Sequence, residues 1–216
     1  MGKQKKGLIL LSGGQDSTTC LAWALQNFEE IEAICFDYGQ RHSIELECAA
    51  KIAKFTKIPL TTIKLDLFPK ENALTNSEIA IEHTDKLPTT FVPGRNLVFL
   101  NAAAIHAYSK GITDIITGVC QTDYSGYPDC RDEFIKSAEQ TLSLAMDRQF
   151  KIHTPLLWLT KAETVKMMSE LNALQLYEFT HTCYNGTRPA CGTCPSCELR
   201  LKGFKEAGIK DLITYK

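Results

Sequence analysis

A chain of 216 residues that is 44% hydrophobic can bury one sizeable core with a small appendage, so one principal domain is expected. Lys and Arg number 24 against 25 Asp and Glu, a formal charge of −1, which offers no basic field to a nucleic-acid backbone and favours a small-molecule substrate. The longest apolar run, Leu97 to Ala107, is broken by Asn101 and His106 and is too short to span a bilayer, while nine cysteines without a secretory leader point to a reducing, cytoplasmic setting.

The first element is the apolar strand Leu8-Ile9-Leu10-Leu11, which empties into Ser12-Gly13-Gly14-Gln15-Asp16-Ser17 and then a helix over Thr18 to Phe28, with Leu21, Ala22, Ala24 and Leu25 at helical spacing. Two glycines let a backbone fold its N–H groups round an anion, and the helix adds the positive end of its dipole. The Gly-x-x-x-x-Gly-Lys-Ser/Thr spacing of a kinase-type loop is absent, and no lysine follows the glycines to reach terminal phosphates. N–H groups, two hydroxyls and one carboxylate suit a departing pyrophosphate held with Mg²⁺, with Asp16 as its hard oxygen ligand. That chemistry is nucleotidyl transfer, with Asp16 and Ser17 as catalytic candidates. The candidate nucleotide-binding stretch runs Leu10, Leu11, Ser12, Gly13, Gly14, Gln15, Asp16, Ser17, Thr18, Thr19 and Cys20.

A strand follows at Ile31 to Phe36, ending in Asp37-Tyr38-Gly39-Gln40-Arg41-His42; Ile44, Cys48, Ile52 and Phe55 then mark a second helix, and Pro59 to Leu67 alternates like a strand. Residues 68–90 are polar and aperiodic, either a mobile loop over the site or a plain surface insertion. Phe91-Val92-Pro93-Gly94-Arg95-Asn96 leads into a helix from Leu97 to Ser109, and Asp114 to Val119 is a buried strand ending in a polar stretch, Gln121 to Arg131. A helix over Asp132 to Asp147, a strand over Lys151 to Leu157 and a capping box at Thr160 to Glu163 complete this part. Strands alternating with helices predict an α/β fold with a doubly wound, mostly parallel, Rossmann-like sheet, whose ligand lies at the carboxyl ends of the strands.

From about His181 the pattern changes. Cys183, Cys191, Cys194 and Cys197 are spaced x7, x2, x2, which fits a closed tetrahedral thiolate site of structural rather than catalytic kind. Zinc is the first choice, and an iron–sulfur cluster uses the same ligands. A short helix over Glu198 to Ala207, capped by Gly208, closes the module. The expected division is a nucleotide-binding domain over 1–180 and a small C-terminal zinc-binding module over 181–216.

The Ser12 to Ser17 hexapeptide resembles the pyrophosphate loop of the N-type ATP pyrophosphatases, a superfamily of adenine nucleotide alpha hydrolase-like folds that also contains amidating and tRNA-thiolating enzymes. With Phe36 to His42, Val92 to Asn96, Tyr127-Pro128-Asp129-Cys130-Arg131 and the cysteine quartet, the chain is similar along nearly its whole length to the 7-cyano-7-deazaguanine synthase family of queuosine biosynthesis. That resemblance implies conversion of 7-carboxy-7-deazaguanine to the nitrile with ammonia and ATP, zinc on the four cysteines, and a homodimer. On it, Asp129 is a candidate for the guanine-like edge of the substrate, Arg95 or Arg131 for its carboxylate or a phosphate, and Tyr127, with Tyr124, for stacking on its ring. Asp37 and Tyr38 are candidates for the adenosine and His42 for a phosphate contact or proton acceptor. A tRNA-thiolating enzyme would need a basic surface and a catalytic cysteine pair, and a glutamine-fed amidase a glutaminase domain for which 216 residues leave no room. A non-catalytic nucleotide sensor would bind ATP without releasing pyrophosphate.

Overall fold

The computed structural model describes residues 5–40, 44–68, 72–76, 79, 87–122 and 127–216. Five strands, β1 (Lys6–Leu10), β2 (Glu30–Asp37), β3 (Leu60–Lys64), β4 (Asp114–Ile116) and β5 (Lys151–His153), form one sheet in the order β3-β2-β1-β4-β5, and every pairing is parallel. The helices are α1 (Gln15–Asn27), α2 (Ile44–Thr56), α3 (Arg95–Lys110), α4 (Asp132–Ala145), α5 (Lys161–Glu170) and α6 (Pro195–Ala207).

Alternation along the strands sends side chains to two cores. Leu8, Ile34, Phe36, Ile115 and Ile152 meet Leu100, Ala103, Ala107, Ile135 and Leu142 of α3 and α4 on one face. Ile9, Ile31, Ala33, Cys35 and Ile116 meet Leu21, Ala24, Ala49 and Ile52 of α1 and α2 on the other. Covering both faces is what a parallel sheet demands, and it explains why the strands read as unbroken apolar runs. The chain reverses direction across the sheet between β1 and β4, so a crevice opens where those two strands end.

Element ends differ from the sequence expectations for local reasons. α1 begins at Gln15, inside the hexapeptide, because Gly14 takes the N-cap conformation (φ −82°, ψ 171°). β4 stops at Ile116 and β5 at His153; the chain after His153 turns through the Leu157 N–H to Thr154 carbonyl bond (3.1 Å) while Leu156 stays in the core. α6 starts at Pro195 with Cys194 as N-cap, and Gly208 ends it in the left-handed region (φ +69°). The capping box at Thr160 and Glu163 is formed. Within 68–90, the described residues are anchored: Asn72, Ala73 and Leu74 are buried, the Asn72 side chain donates to the Phe91 carbonyl, and the Ala73 N–H donates to the Thr89 carbonyl at 3.2 Å. No helix among the described residues is long and apolar enough to cross a membrane.

Candidate active site

The loop between β1 and α1 owes its shape to two contacts. Gly13 sits at φ +86°, and a Cβ there would lie 2.3 Å from the Glu45 carbonyl oxygen and 2.7 Å from the Ala49 nitrogen of α2. Gly118, just past β4, also packs closely: a Cβ would stand 3.0 Å from the Ser17 nitrogen. Only glycine fits at 13, and 118 leaves little room for a side chain, so the loop seats against α2 and the end of β4. Ser12 Oγ and Ser17 Oγ are 3.0 Å apart, the Ser12 N–H donates to Ser17 Oγ (3.2 Å) and the Gly14 N–H donates to Ser12 Oγ (3.3 Å). Gly14 caps α1 without a side chain, so the helix begins as a row of N–H groups beside an exposed hydroxyl, an anion site by construction.

Around that mouth the sequence candidates separate by depth. Leu11, Thr18, Thr19 and Cys20 are buried beneath the loop, whereas Leu10 is half-buried at the end of β1. Thr18 Oγ1 donates to the Gly14 carbonyl (2.7 Å), and Thr19 Oγ1 is 2.7 Å from the Tyr177 hydroxyl. The Nε2 of Gln15 is buried with no hydrogen-bond partner among the described residues. Asp16 receives two bonds from Lys161 Nζ, at 2.9 Å to each carboxylate oxygen. Sequence reading found no lysine for this loop because it arrives from the first residue of α5, 145 positions away. It is pressed there by α6, where Gly203 leaves room: a Cβ at 203 would come within 2.5 Å of Lys161 Cγ.

A second cluster lies beside the first. Arg95, in the first turn of α3, reaches Tyr38 (Nη1 to Oη 3.4 Å), and Tyr38 packs edge-on to Phe68 and tilted on Phe99. Burial alone would weaken the Arg95 guanidinium's hold on its proton, but Tyr38, Tyr127, Tyr184 and Asp129 surround it and raise its pKa above the usual value. Asp129 is buried on a 3-10 turn; its Oδ2 accepts the Asn96 N–H (3.2 Å) and its carbonyl accepts Asn96 Nδ2 (3.0 Å), so it caps α3. Tyr127 stacks on Phe91 with ring centroids 5.8 Å apart and is hydrogen-bonded to Thr90 at 2.6 Å. Asp37 Oδ1 accepts the Gly39 N–H at 3.3 Å. Arg131 does not join them: its guanidinium is exposed and lies 3.8 Å from Glu133. Arg41, His42 and Tyr124 lie outside the described residues. Glu45, which the sequence reading passed over, enters this cluster from α2; burial pushes its carboxyl up to about 7 against the pull of Arg95.

The four cysteines close a third group. Their sulfurs all lie within 4.8 Å of one another, and Cys191 Sγ is 3.9 Å from Cys197 Sγ. A tetrahedral ion with metal–sulfur bonds of about 2.3 Å needs sulfurs about 3.8 Å apart, so the set fits a metal with a small contraction. Burial pushes the Cys191 thiol up, but the Thr193 and Cys194 N–H groups outweigh it and hold it at about 6. Such N–H donors favour thiolate ligands. This segment also touches the phosphate loop: the His181 N–H donates to the Gly13 carbonyl at 3.1 Å, and Arg188 Nη2 reaches Cys48 Sγ, beside Gly13, at 3.2 Å. The His181 Nε2 is buried without a partner among the described residues.

A doubly wound parallel sheet with a glycine-rich loop opening a helix at its switch point, an arginine–tyrosine cluster beside it and four gathered cysteines in the segment that follows His181 is the architecture of a nucleotide-using α/β enzyme with a candidate metal site. Residues 6–208 match the family described as "Queuosine biosynthesis protein QueC", and the chain belongs to that family. It is 54% identical over 215 residues to a protein of Chromobacterium violaceum named 7-cyano-7-deazaguanine synthase, covering 96% of this chain and 92% of that one. It is also 54% identical over 209 residues to the protein of the same name from Bacillus subtilis, covering 94% and 95%. Among solved structures, a 4-thiouridine synthetase in complex with RNA and bound ATP is similar at 18% identity and a TM-score of 0.47, over 94% of this chain and 50% of that one.

Proposed function

We propose that this protein makes 7-cyano-7-deazaguanine from 7-carboxy-7-deazaguanine and ammonia, consuming ATP. The observation that carries the reading is the 54% identity, over nearly full length, to proteins bearing that synthase name. The site chemistry is consistent with it. A carboxylate is a poor electrophile because its leaving group would be oxide; transfer of AMP turns that oxygen into phosphate. The loop from Ser12 to Ser17 takes the outer phosphates, so that the α-phosphate faces the acid. Asp16 is the residue that would hold Mg²⁺, which supplies charge neutralisation to the departing pyrophosphate. Lys161 adds a fixed cation at the same place. Arg95 holds the substrate carboxylate, Asp129 takes N–H groups of the purine-like edge, and Tyr127 lies against the ring. Tyr38 and Asp37 border the adenosine side.

Ammonia then displaces AMP to leave an amide, and a second adenylation removes the amide oxygen to leave the nitrile. Positioning and electrostatics carry both rounds. The cysteine quartet would hold Zn²⁺ as a structural staple. We read 1–180 as the nucleotide-binding body and 181–216 as the stapled module, in a cytoplasmic homodimer that acts on a small molecule and not on nucleic acid. The experiment is incubation with ATP, ammonia and the carboxylic acid, followed by mass spectrometry. Amide, nitrile, AMP and pyrophosphate are expected; ADP and orthophosphate as the acid-dependent products would overturn the reading.

A further inference from the structure

The mouth of the phosphate loop turns on one peptide plane. The Gly13 carbonyl and the Gly14 N–H belong to the same rigid amide, so whatever fixes the carbonyl also fixes the direction of the N–H. Gly13 sits at φ +86°, where glycine turns freely, and its carbonyl finds its partner outside the loop: the His181 N–H, 3.1 Å away. We propose that Thr180 is a positioning residue for nucleotide binding: its hydroxyl, held by Arg200, joins Tyr177 and His181 into one brace that grips the loop on both sides of the helix cap Gly14. The inference rests on the synthase reading for one point, that the loop takes the phosphates of ATP, and deepens it there.

The direction of each hydrogen bond in the brace follows from its partners. Arginine can only donate, so the Arg200 Nη1 bond at 2.8 Å makes Thr180 Oγ1 an acceptor. The one Thr180 hydroxyl proton goes to the Tyr177 carbonyl at 2.7 Å, which also accepts the Thr180 N–H at 3.1 Å. On the α1 side, Thr19 Oγ1 donates to the Gln15 carbonyl at 3.0 Å, so the Tyr177 hydroxyl, 2.7 Å from Thr19 Oγ1, is the donor of that pair. One end of the brace therefore lands on Thr19 and through it on Gln15, while the other lands on Gly13. These two residues flank the cap Gly14, whose own N–H donates to Ser12 Oγ at 3.3 Å.

The brace is dry and anchored. Thr19, Tyr177, Thr180 and Arg200 are all buried, so a hydrogen bond lost among them is not replaced by one to bulk water. Arg200 is fixed in turn by the two oxygens of Asp211, each at 2.8 Å, and Asp211 accepts the Tyr215 hydroxyl at 2.6 Å. A guanidinium locked on that carboxylate leaves Nη1 committed to Thr180. The influence of Thr180 and Arg200 on a nucleotide thus passes through the Gly13–Gly14 amide and the first turn of α1.

The side-chain chemistry of Thr180 gives a clean pair of substitutions. Valine keeps the shape but neither accepts from Arg200 nor donates to Tyr177. Serine keeps both bonds and loses only a methyl group, so it disturbs packing without breaking the brace.

The test is calorimetric titration of each folded variant with α,β-methylene ATP and Mg²⁺, beside thermal melts. In Thr180→Val the Kd should rise about tenfold, the scale of one buried hydrogen bond made to a charged group. Thr180→Ser should melt earlier than the parent yet bind the analogue as the parent does. Tyr177→Phe removes only the hydroxyl that reaches Thr19 and should raise the Kd a few-fold; it carries the test if Thr180→Val folds poorly. In steady state, the KM for ATP should follow the same order, while kcat at saturating ATP and the KM for the carboxylic acid stay near parental values. A merely structural role would make affinity track stability, with serine and valine alike. Parental affinity in folded Thr180→Val, parental affinity in Tyr177→Phe where valine does not fold, or a serine variant as weak as the valine one would overturn the assignment. Failure of the parent protein to bind the analogue would instead overturn the reading of the loop, and this inference with it.

Discussion

Single residues decide whether the loop is competent. Asp16 and Lys161 form a pair with Nζ 2.9 Å from each oxygen, and the side chains are 33% and 10% exposed, so the pair faces the mouth of the site. Asp16→Ala is expected to abolish pyrophosphate release while the thermal midpoint moves little, because a partly exposed ion pair contributes about 1 kcal/mol or less. Retained turnover would remove Asp16 from the proposed magnesium site. Lys161→Met should lower pyrophosphate release by about 10²-fold, the usual cost of losing one fixed charge or donor aimed at a developing anion, with little change in folding. Steady-state release assays beside thermal scans check both. The hexapeptide was legible because its chemistry is local: glycines, hydroxyls and a carboxylate within six positions. Lys161 and Glu45 were not legible, since no spacing links a residue at the head of α5 or α2 to a loop that only tertiary packing brings against it.

Elements hold those residues in place, and α6 is the clearest case. Gly203 lies in its interior, where glycine costs a helix about 1 kcal/mol relative to alanine, yet a Cβ there would stand 2.9 Å from Lys161 Cβ and 3.1 Å from its backbone carbon. Gly203→Ala should therefore destabilise the fold by about 1–3 kcal/mol despite the better helix propensity, and shift Lys161 away from Asp16. A fall in denaturation midpoint together with weaker ATP binding is expected; a stabilised variant with unchanged ATP affinity would show that the close approach is unimportant. The alternation of strands and helices, the capping box and the Gly208 cap were all readable, because period and cap chemistry are local signals. Short β4 and β5 were read too long: Val119 and Leu157 are buried by the loops that continue each strand, and apolar pattern alone does not tell a buried loop from a strand. Asp129 reads in sequence as a candidate for the substrate edge, and packing also makes it a brace for the first turn of α3, which no spacing announces.

On the scale of the whole molecule, the C-terminal segment is braced by a buried ion pair of its own and tied to the sheet through Thr180 and the phosphate loop. Arg200, 1% exposed, donates from Nε and Nη2 to the two oxygens of Asp211, each at 2.8 Å, and from Nη1 to Thr180 Oγ1 at 2.8 Å. Burial would raise the Asp211 carboxyl, but the bonds and charge of Arg200, with Tyr215 and the Ile213 N–H, outweigh it and hold it below the ordinary value. A carboxylate whose folded pKa is depressed adds stability above its unfolded value, and that contribution is lost as pH falls from about 3.9 through the folded pKa. Asp211→Asn leaves a buried guanidinium without its counter-charge and should cost about 3–5 kcal/mol at neutral pH, and its midpoint should change less than the parent's on acidification below pH 4, as read by thermal melts across that range. The same tie predicts the effect of metal removal. The four cysteines gather the segment that begins at His181, whose N–H holds the Gly13 carbonyl at 3.1 Å, and the C-terminal residues clamp it through the Ala190 N–H to Thr214 carbonyl bond at 2.9 Å. With zinc on the quartet as proposed, stripping it with a chelator leaves protonated thiols without a common ligand and frees that segment, so the thermal midpoint should drop and ATP affinity should fall in the same titration, both returning on adding zinc back. Loss of stability with unchanged ATP affinity would mean that the loop keeps its shape without the cysteine segment, and that the His181 to Gly13 bond does not shape the nucleotide site.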